Sequence, residues 1–328
     1  MKKMISVVIP TKNMEKYIEK CLDSVLASKN VLMEIIVVDF GSKDKTVDIL
    51  NEYSERWSCI HIYKDQNGNA ASARNKGIKY SSGDYLAFLD ADDWYEEDFL
   101  DKLYMYMESQ ELDIISCGYK QVYEGSNNMV LQKWKNREVN INLNNLNKEV
   151  CQLMKGNINL EVWNKLYRMS FIKENNIYFD DTKGINGEDI YFNVIAFMNC
   201  PRLLIIEDCL YYHLIRMNSL ANTKKVQLTE RFITIIELLY QYSLSQKCVL
   251  EDVISILTTN LIIQDLGRDK SCSSIRKKIE DYRNNSIVMK VLNSSLYSNQ
   301  INVKQKCFNV LIIHNIIFVI LFYVKKCL

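Results

Sequence analysis

The sequence predicts an α/β fold, a mostly parallel sheet flanked by helices, with a helical extension at its C-terminal end. Two observations predict it. Short apolar runs bounded by polar residues recur through the first third of the chain, separated by stretches with apolar residues at helical spacing. Strands divided by helices of that length form βαβ units, whose strands run parallel. From about Leu214 the strand signal gives way to the helical period, in "LTERFITIIELLYQYSLSQ" and "EDVISILTTNLIIQDL".

The elements follow in order. "ISVVIP" at 5–10 is a short apolar run with the character of a strand buried on both faces. In "MEKYIEKCLDSVLAS", Tyr17, Ile18, Cys21, Leu22, Val25 and Leu26 share one helical face. "EIIVVD" at 34–39 is a second buried strand, "KDKTVDILNEYSERW" a second helix, and "CIHIYK" a third strand. "AASARNKGIKYSS" reads as a helix closed near Gly83, and "YLAFLD" as the fourth strand. The middle is less regular, with strand-like "DIISCGYKQVY" and "EVWNKLYR", a helix from near Gly187, and a strand at "RLLIIEDCLYYH". No internal repeat is present.

Composition narrows the function classes. With 48% hydrophobic residues, the 328-residue chain can bury an ordinary core. A formal net charge of +1 gives no electrostatic case for nucleic-acid binding. Two Pro and ten Gly argue against long disordered linkers. The ten Cys are scattered without a C-x-x-C or Cys/His pairing, which counts against zinc. No signal peptide opens the sequence, so the thiols read as reduced and the protein as cytoplasmic. The apolar run at 308–324 lies between lysine pairs and is interrupted by Asn309, His314 and Asn315. It reads either as a buried helix or as a membrane-surface helix or anchor.

In open α/β sheets, ligands bind beyond the carboxyl ends of the strands. Polar residues collect there: Thr11 and Asn13, Asp39, Asn67 and Gly68, then Asp90 and Asp92. The stretch "GDYLAFLDADDWYEED" drives an apolar strand into three carboxylates within four residues. Alternate strand residues share a face, so Asp90 and Asp92 can point together. Two carboxylates without a countercharge would raise a pKa and cost stability, which a hard divalent cation such as Mg²⁺ or Mn²⁺ relieves. The plainer reading makes Asp92 or Asp93 the N-cap of a helix "WYEEDFLDKLYMYME". Both readings hold together if Asp93 caps while Asp90 and Asp92 bind metal.

"SVVIPTKN", "EIIVVDFGSKDKT", "NGNAASARNKGIKYSSGDYLAFLDADDW" and "GEDIYF" together resemble the successive motifs of family 2 glycosyltransferases. The resemblance runs in order from Ile5 to about Ser219. It implies a GT-A fold, Rossmann-like, and an inverting enzyme that uses a nucleotide sugar. Asp90-Ala91-Asp92 resembles the family's D-x-D element, with Asp92 the preferred ligand of a Mn²⁺ or Mg²⁺ ion on the donor diphosphate. Pro10, Thr11 and Asp39 fall on the donor side, and Arg74 matches a position beside the nucleotide; its plainer role is an ion pair. Asp189 matches the general base, and Glu188 beside it is an acceptor contact or structural. His213, Arg216 and Ser219 lie where related enzymes close a loop over the diphosphate, and His213 is a candidate third metal ligand. Lys165 resembles a recurring position whose role could be packing.

The pattern departs from the family at Lys12, where an aromatic is usual, and at Phe40, where a second carboxylate is frequent. Phe40 is expected to supply the wall lost at Lys12, and UDP is the favoured nucleotide. The resemblance implies a catalytic domain at 1–213, a helical region at 214–300 and the apolar segment at 301–328. It also implies a glycan or lipid-linked acceptor in capsule or cell-surface polysaccharide synthesis, at the inner face of a bacterial membrane. Peripheral membrane contact and a homo-oligomer stay open, and no nucleic-acid partner is expected. Two alternatives carry the same sheet: a non-catalytic scaffold, and another nucleotide-dependent transferase such as a nucleotidyltransferase. The absence of glycine from "IPTKNMEKY" counts against the nucleotidyltransferase, and the lack of G-x-G-x-x-G against a dehydrogenase.

Overall fold

The computed structural model describes residues 2–66, 68–142, 144–181, 187–216, 228–245, 251–269, 271–315 and 320. Ten strands form one sheet. They are β1 (Met4–Thr11), β2 (Leu32–Asp39), β3 (Ile60–Lys64), β4 (Tyr85–Phe88), β5 (Trp94–Tyr95), β6 (Ile114–Tyr123), β7 (Met129–Gln132), β8 (Arg137–Asn140), β9 (Lys165–Arg168) and β10 (Arg202–Ile215). Their order is β3-β2-β1-β4-β9-β6-β10-β5, with β7 beside β6 and β8 beside β10. Helices α1 (Ile18–Leu26), α2 (Thr46–Arg56) and α3 (Ala70–Tyr80) connect the first four strands, and α4 (Phe99–Gln110) leads into β6.

The first four strands pair in parallel, as their alternation with helices predicts. The rest of the sheet is mixed, although β6 and β10 keep the direction of the first four strands. β9 lies antiparallel between β4 and β6, and β5, β7 and β8 add antiparallel edges. β6 and β10 each follow a helix, at 99–110 and 188–199. β1 shows why the centre is apolar: from Ile5 to Thr11 every residue is buried, because helices cover both of its faces.

Close packing of α3 on β1 depends on Gly77. A Cβ there would meet Val8 Cγ1 at 2.2 Å. Glu34, buried near the start of β2, is satisfied by Ser6 Oγ at 2.6 Å and by the backbone N–H groups of Ser82 and Gly83 at 2.6 and 3.1 Å. A buried acid of this kind is tolerable only when its oxygens are filled.

The chain divides into two compact units, residues 1–141 with 160–219 and residues 142–159 with 220–328. The segment 142–159 therefore separates from the sheet with which its sequence position would group it. Its helix α5 (Leu146–Gln152) and π-type turn (Leu153–Asn157) hydrogen-bond to the helical unit through Asn147 to Asp252 and Asn260 to the Met154 carbonyl. Two further helices belong to the sheet unit, α6 (Met169–Glu174) and α7 (Glu188–Asn199). The helical unit adds α8 (Leu228–Ser245), α9 (Glu251–Gly267), α10 (Cys272–Asn284), α11 (Ser286–Ser295) and α12 (Val303–Ile313).

Two buried polar clusters fix the helical unit. Asp265 accepts from Thr229 Oγ1 at 2.6 Å, Tyr282 Oη at 2.8 Å and Lys278 Nζ at 2.7 Å. Asn309 donates to Thr259 Oγ1 and Ser295 Oγ, each at 2.9 Å. Asn309 thus interrupts an apolar run because it hydrogen-bonds inside a helical core. Phe308, Asn309 and Ile312 of α12 are buried, so one face of the described part of the apolar segment packs inside the helical unit; residues 316–319 and 321–328 lie outside the described residues. Among the described residues, no helix is long and apolar enough to cross a membrane, and eight cysteines are free thiols.

Gly77→Val is expected to force α3 off β1 and to destabilise the fold by about 1–3 kcal/mol, read from the midpoint of urea unfolding. An unchanged midpoint would contradict the tight contact.

Candidate active site

Strand direction assembles the site. β1, β2 and β4 run one way, and the antiparallel β9 returns β6 and β10 to that same direction. The carboxyl ends of β1, β2, β4 and β10 therefore share one edge, joined by the amino end of β9. Thr11, Asp39, the Asp90–Asp93 run, Lys165 and the 211–216 stretch all arrive there.

At the ends of β1 and β2, Pro10 and Thr11 stand opposite Val38 and Asp39. Both are buried, and Thr11 Oγ1 has no hydrogen-bond partner. The Asp39 carboxylate accepts from the backbone N–H of Gly41 and Ser42 at 3.2 Å each. That closes a turn through Gly41, whose φ of +99° favours glycine. Lys12 Nζ lies 5.4 Å from the centre of the Phe40 ring, so the two residues that depart from the family pattern meet each other.

The acidic run divides its carboxylates among different partners. Asp90 Oδ1 meets Arg74 Nη2 at 2.8 Å. Asp92 pairs with Arg216, whose guanidinium lies 5.0 Å from the Tyr17 ring centre; Tyr17 Oη donates to Glu124 at 2.6 Å. Asp93 is not a helix cap, contrary to the capping reading. The chain first forms β5 at Trp94–Tyr95, and α4 begins only at Phe99. Asp93 is buried instead and accepts from Tyr211 Oη at 2.6 Å and Leu214 N–H at 2.7 Å, with His213 Nδ1 at 3.1 Å.

Burial, reinforced by Asp93 and Asp90, pushes the Asp92 carboxyl up to about 6. Burial opposes charge on His213, but its hydrogen bond to Asp93 and the surrounding carboxylates win and push the ring up to about 9. With Nδ1 committed to Asp93, any contact of His213 with a metal or phosphate falls to Nε2. Trp163 stacks on His213 and Tyr211 at 5.3 and 4.3 Å between ring centres.

A second cluster is built around Arg74, which is 4% exposed. Its Nη1 meets Glu188 Oε1 at 2.8 Å and Asp189 Oδ1 at 3.1 Å, while Nη2 holds Asp90. Burial opposes the guanidinium charge, and Asp189, Asp90 and Glu188 together overcome that and hold it firmly protonated. Glu188 also accepts from Gly187 N–H at 2.8 Å, which fits the structural reading of that residue. Asp189 differs. Its Oδ1 is buried and close to Arg74 but accepts no aligned hydrogen bond, and burial raises its carboxyl well above the ordinary range although Arg74 opposes the rise. A buried, under-satisfied carboxylate of raised basicity is the arrangement a general base needs.

The structure thus gathers Asp90, Arg74, Glu188 and Asp189 in one cluster, Asp92 with Arg216, and His213 with Asp93. Ala91 is buried between the two acids it separates. Ser219 and Asn67 lie outside the described residues. Sequence reasoning placed Tyr17 on a helix face and gave no part in the site to Tyr17, Glu124 or Trp163, which come from distant segments. The period of two in "YYHLIR" does place Tyr211 and His213 on one face.

Asp90 and Asp92 present hard carboxylate oxygens at the end of β4. That donor set suits an ion of the magnesium type, which needs one or two protein carboxylates and takes its other ligands from water and phosphate. Among the described residues, no three His, Cys, Asp or Glu side chains converge into a complete metal cage.

Arg74→Met is expected to leave three carboxylates crowded without their cation and to destabilise the protein by about 3–5 kcal/mol, measured by urea unfolding at neutral pH. A loss below about 1 kcal/mol would show that solvent already compensates the cluster.

Residues 6–175 match the Glycosyl transferase family 2. The chain is 31% identical over 219 residues to the glycosyltransferase EpsJ of Bacillus subtilis, covering 66% of this chain and 63% of EpsJ. It is 31% identical over 221 residues to the glycosyltransferase GlyA of Streptococcus pneumoniae, covering 66% of this chain but 31% of GlyA. It is 29% identical over 219 residues to the poly(ribitol-phosphate) beta-glucosyltransferase of Bacillus spizizenii, covering 65% of this chain and 32% of that one. These matches span less than two thirds of each relative's length. The crystal structure of S. aureus TarS 1–349 in complex with UDP-GlcNAc superimposes with a TM-score of 0.77 at 20% identity, over 99% of this chain and 91% of that one. This is a likeness of GT-A fold that extends through the helical C-terminal region. With more than half of its length matched and the sheet edge arranged as described, the chain belongs to glycosyl transferase family 2.

Proposed function

We propose that the chain is an inverting glycosyltransferase that moves a sugar from a nucleotide-sugar donor, UDP-linked, to a hydroxyl of a glycan or lipid-linked acceptor. One observation carries the reading: a single buried guanidinium, Arg74, holds the donor-side acid Asp90 and the base candidate Asp189 in one frame. Single displacement at an anomeric carbon needs a proton acceptor on one face and charge stabilisation on the other, and the frame supplies both ends.

Asp189 takes the proton from the acceptor hydroxyl, a contribution of about 10²–10⁴-fold. No nucleophilic side chain is required, so the anomeric configuration inverts; the reasoning parallels inverting hydrolysis. Asp92, with Asp90, would hold Mn²⁺ or Mg²⁺, which as a Lewis acid offsets charge developing on the leaving diphosphate. Arg216 and His213 bring further positive charge to the same edge. Thr11, Asp39 and Phe40 form the floor near the nucleobase, with Lys12 across the Phe40 ring. The UDP and acceptor assignments draw on proteins similar to this one: the S. aureus TarS crystal contains UDP-GlcNAc, and the Bacillus spizizenii relative is a poly(ribitol-phosphate) glucosyltransferase. Synthesis of capsule or another cell-surface polymer at the inner membrane face fits those names.

Asp189→Asn is expected to lower sugar transfer by about 10²–10⁴-fold while calorimetry still detects UDP binding with Mn²⁺. Asp92→Asn should abolish the Mn²⁺ dependence of that binding. Transfer by the Asp189→Asn variant at the parental rate would remove Asp189 as the base.

The pH profile supplies a separate check. Asp189 must be ionised to accept a proton, and burial raises its pKa, so kcat/KM should rise with pH through a value above the ordinary carboxylate range. A profile that levels off at the pKa of a solvated carboxylate would show that a different group is the base.

A further inference from the structure

Lys165 is fully buried at the start of β9, on the edge that carries the site. Burying an ammonium is costly unless a carboxylate compensates it. Lys165 instead donates to two neutral acceptors, the Glu161 carbonyl at 2.6 Å and Asn164 Oδ1 at 2.8 Å. Burial lowers its pKa to about 7, although Glu161, Cys117 and Asp189 favour the charge. A residue needed only for packing would be served better by methionine or leucine at this position.

Both acceptors belong to the short turn that precedes β9. The same turn carries Trp163, which is 3% exposed and stacks on His213 and Tyr211, with its edge against Tyr119 at 4.8 Å between ring centres. Asn164 anchors the turn from the other side: its carbonyl accepts from Cys117 N–H at 3.0 Å and its amide donates to the Cys117 carbonyl. Tyr211 and His213 in turn grip Asp93, next to Asp92.

We propose that Lys165 is a positioning residue for the donor half of the site: it clamps the 161–164 turn so that Trp163 fixes His213 and Tyr211 against Asp93. The inference rests on the donor reading of this edge. Lys165 acts at a distance, through Trp163, and touches no substrate. The turn bonded by its ammonium also carries Glu161, an exposed acid whose charge reaches both Asp189 and His213. One buried side chain therefore sets a wall that faces the base at one end and the diphosphate side at the other.

A double-mutant cycle on the full chain tests this, with Lys165→Met, His213→Gln and the double variant, reading UDP affinity in Mn²⁺ by calorimetry. Lys165→Met is expected to fold with a melting temperature near the parent's and to weaken UDP by about 3–10-fold. The double variant should bind no more weakly than the worse single one, because both changes break the same chain of contacts. Fully additive losses would overturn the proposal, as would parental affinity in Lys165→Met. If Lys165→Met does not fold, Lys165→Gln takes its place in the cycle with the same two outcomes. A second arm needs no nucleotide: the Trp163 emission, isolated by subtracting Trp163→Phe, should become open to acrylamide quenching in the Lys165 variant. Unchanged quenching would overturn the clamp even if the donor reading stands. If the parent fails to bind UDP at all, that reading fails separately and this arm still decides the clamp.

Discussion

The site depends on one buried guanidinium. Arg74 comes from α3, Asp90 from the end of β4 and Glu188 and Asp189 from the start of α7, so its pairs with the last two join segments more than a hundred residues apart in sequence. Arginine suits this place because its planar fork addresses several carboxylates at fixed angles, which a lysine ammonium does not. One cation against three acids leaves the cluster short of positive charge. The shortage is unevenly shared: Asp90 and Glu188 receive aligned hydrogen bonds from Arg74, whereas Asp189 lies close without one. Asp189 is also the member whose carboxyl burial raises well above the ordinary range, against the opposing charge of Arg74.

Sheet polarity does the remaining assembly. Had β9 run parallel to β4, neighbouring strands would have needed another long crossover, and the turn bearing Trp163 would sit at the opposite edge. Its reversal brings that turn beside the ends of β4 and β10. Asp93 then serves as the junction between the acidic run and β10, binding Tyr211, His213 and the Leu214 N–H at once. Fully satisfied, such a network rigidifies; losing one member would leave a buried carboxylate facing the full cost of desolvation.

Much of this was legible in the sequence, for physical reasons that also explain the rest. Strands β1 to β4 announce themselves because strands buried on both faces must be continuously apolar, and the helices between them must carry a stripe. Parallel pairing then places Thr11, Asp39 and Asp90 at one edge without further information. The capping reading of Asp93 failed because a two-residue bridge, Trp94–Tyr95 with Tyr211–Tyr212, is too short to leave a periodic signal. The grouping of 142–159 with the helical unit was hidden because it rests on contacts to residues about a hundred positions later. Trp163 and Lys165 were visible only as an aromatic and a lysine; what makes them informative is burial, which appears once the chain has folded.

A crowd of acids at the end of an apolar strand is therefore several separate contracts. Asp90 faces a cation sealed in the interior, Asp93 faces neutral donors and a histidine, and Asp92 faces Arg216. The two arginines differ in kind. Arg74 sits in the middle of a helix with Nη1 and Nη2 committed to three carboxylates, so moving it would leave all three without their cation. Arg216 follows the last strand and rests on Asp92 and the face of Tyr17, contacts that a side chain at a strand end can exchange. A ligand that reaches Asp92 has to displace or recruit this guanidinium, so Asp92 meets its ligand already paired with a positive charge. The buried arginine thus ties α3 and the end of β4 to the start of α7, while Arg216 ties the end of β10 to Asp92.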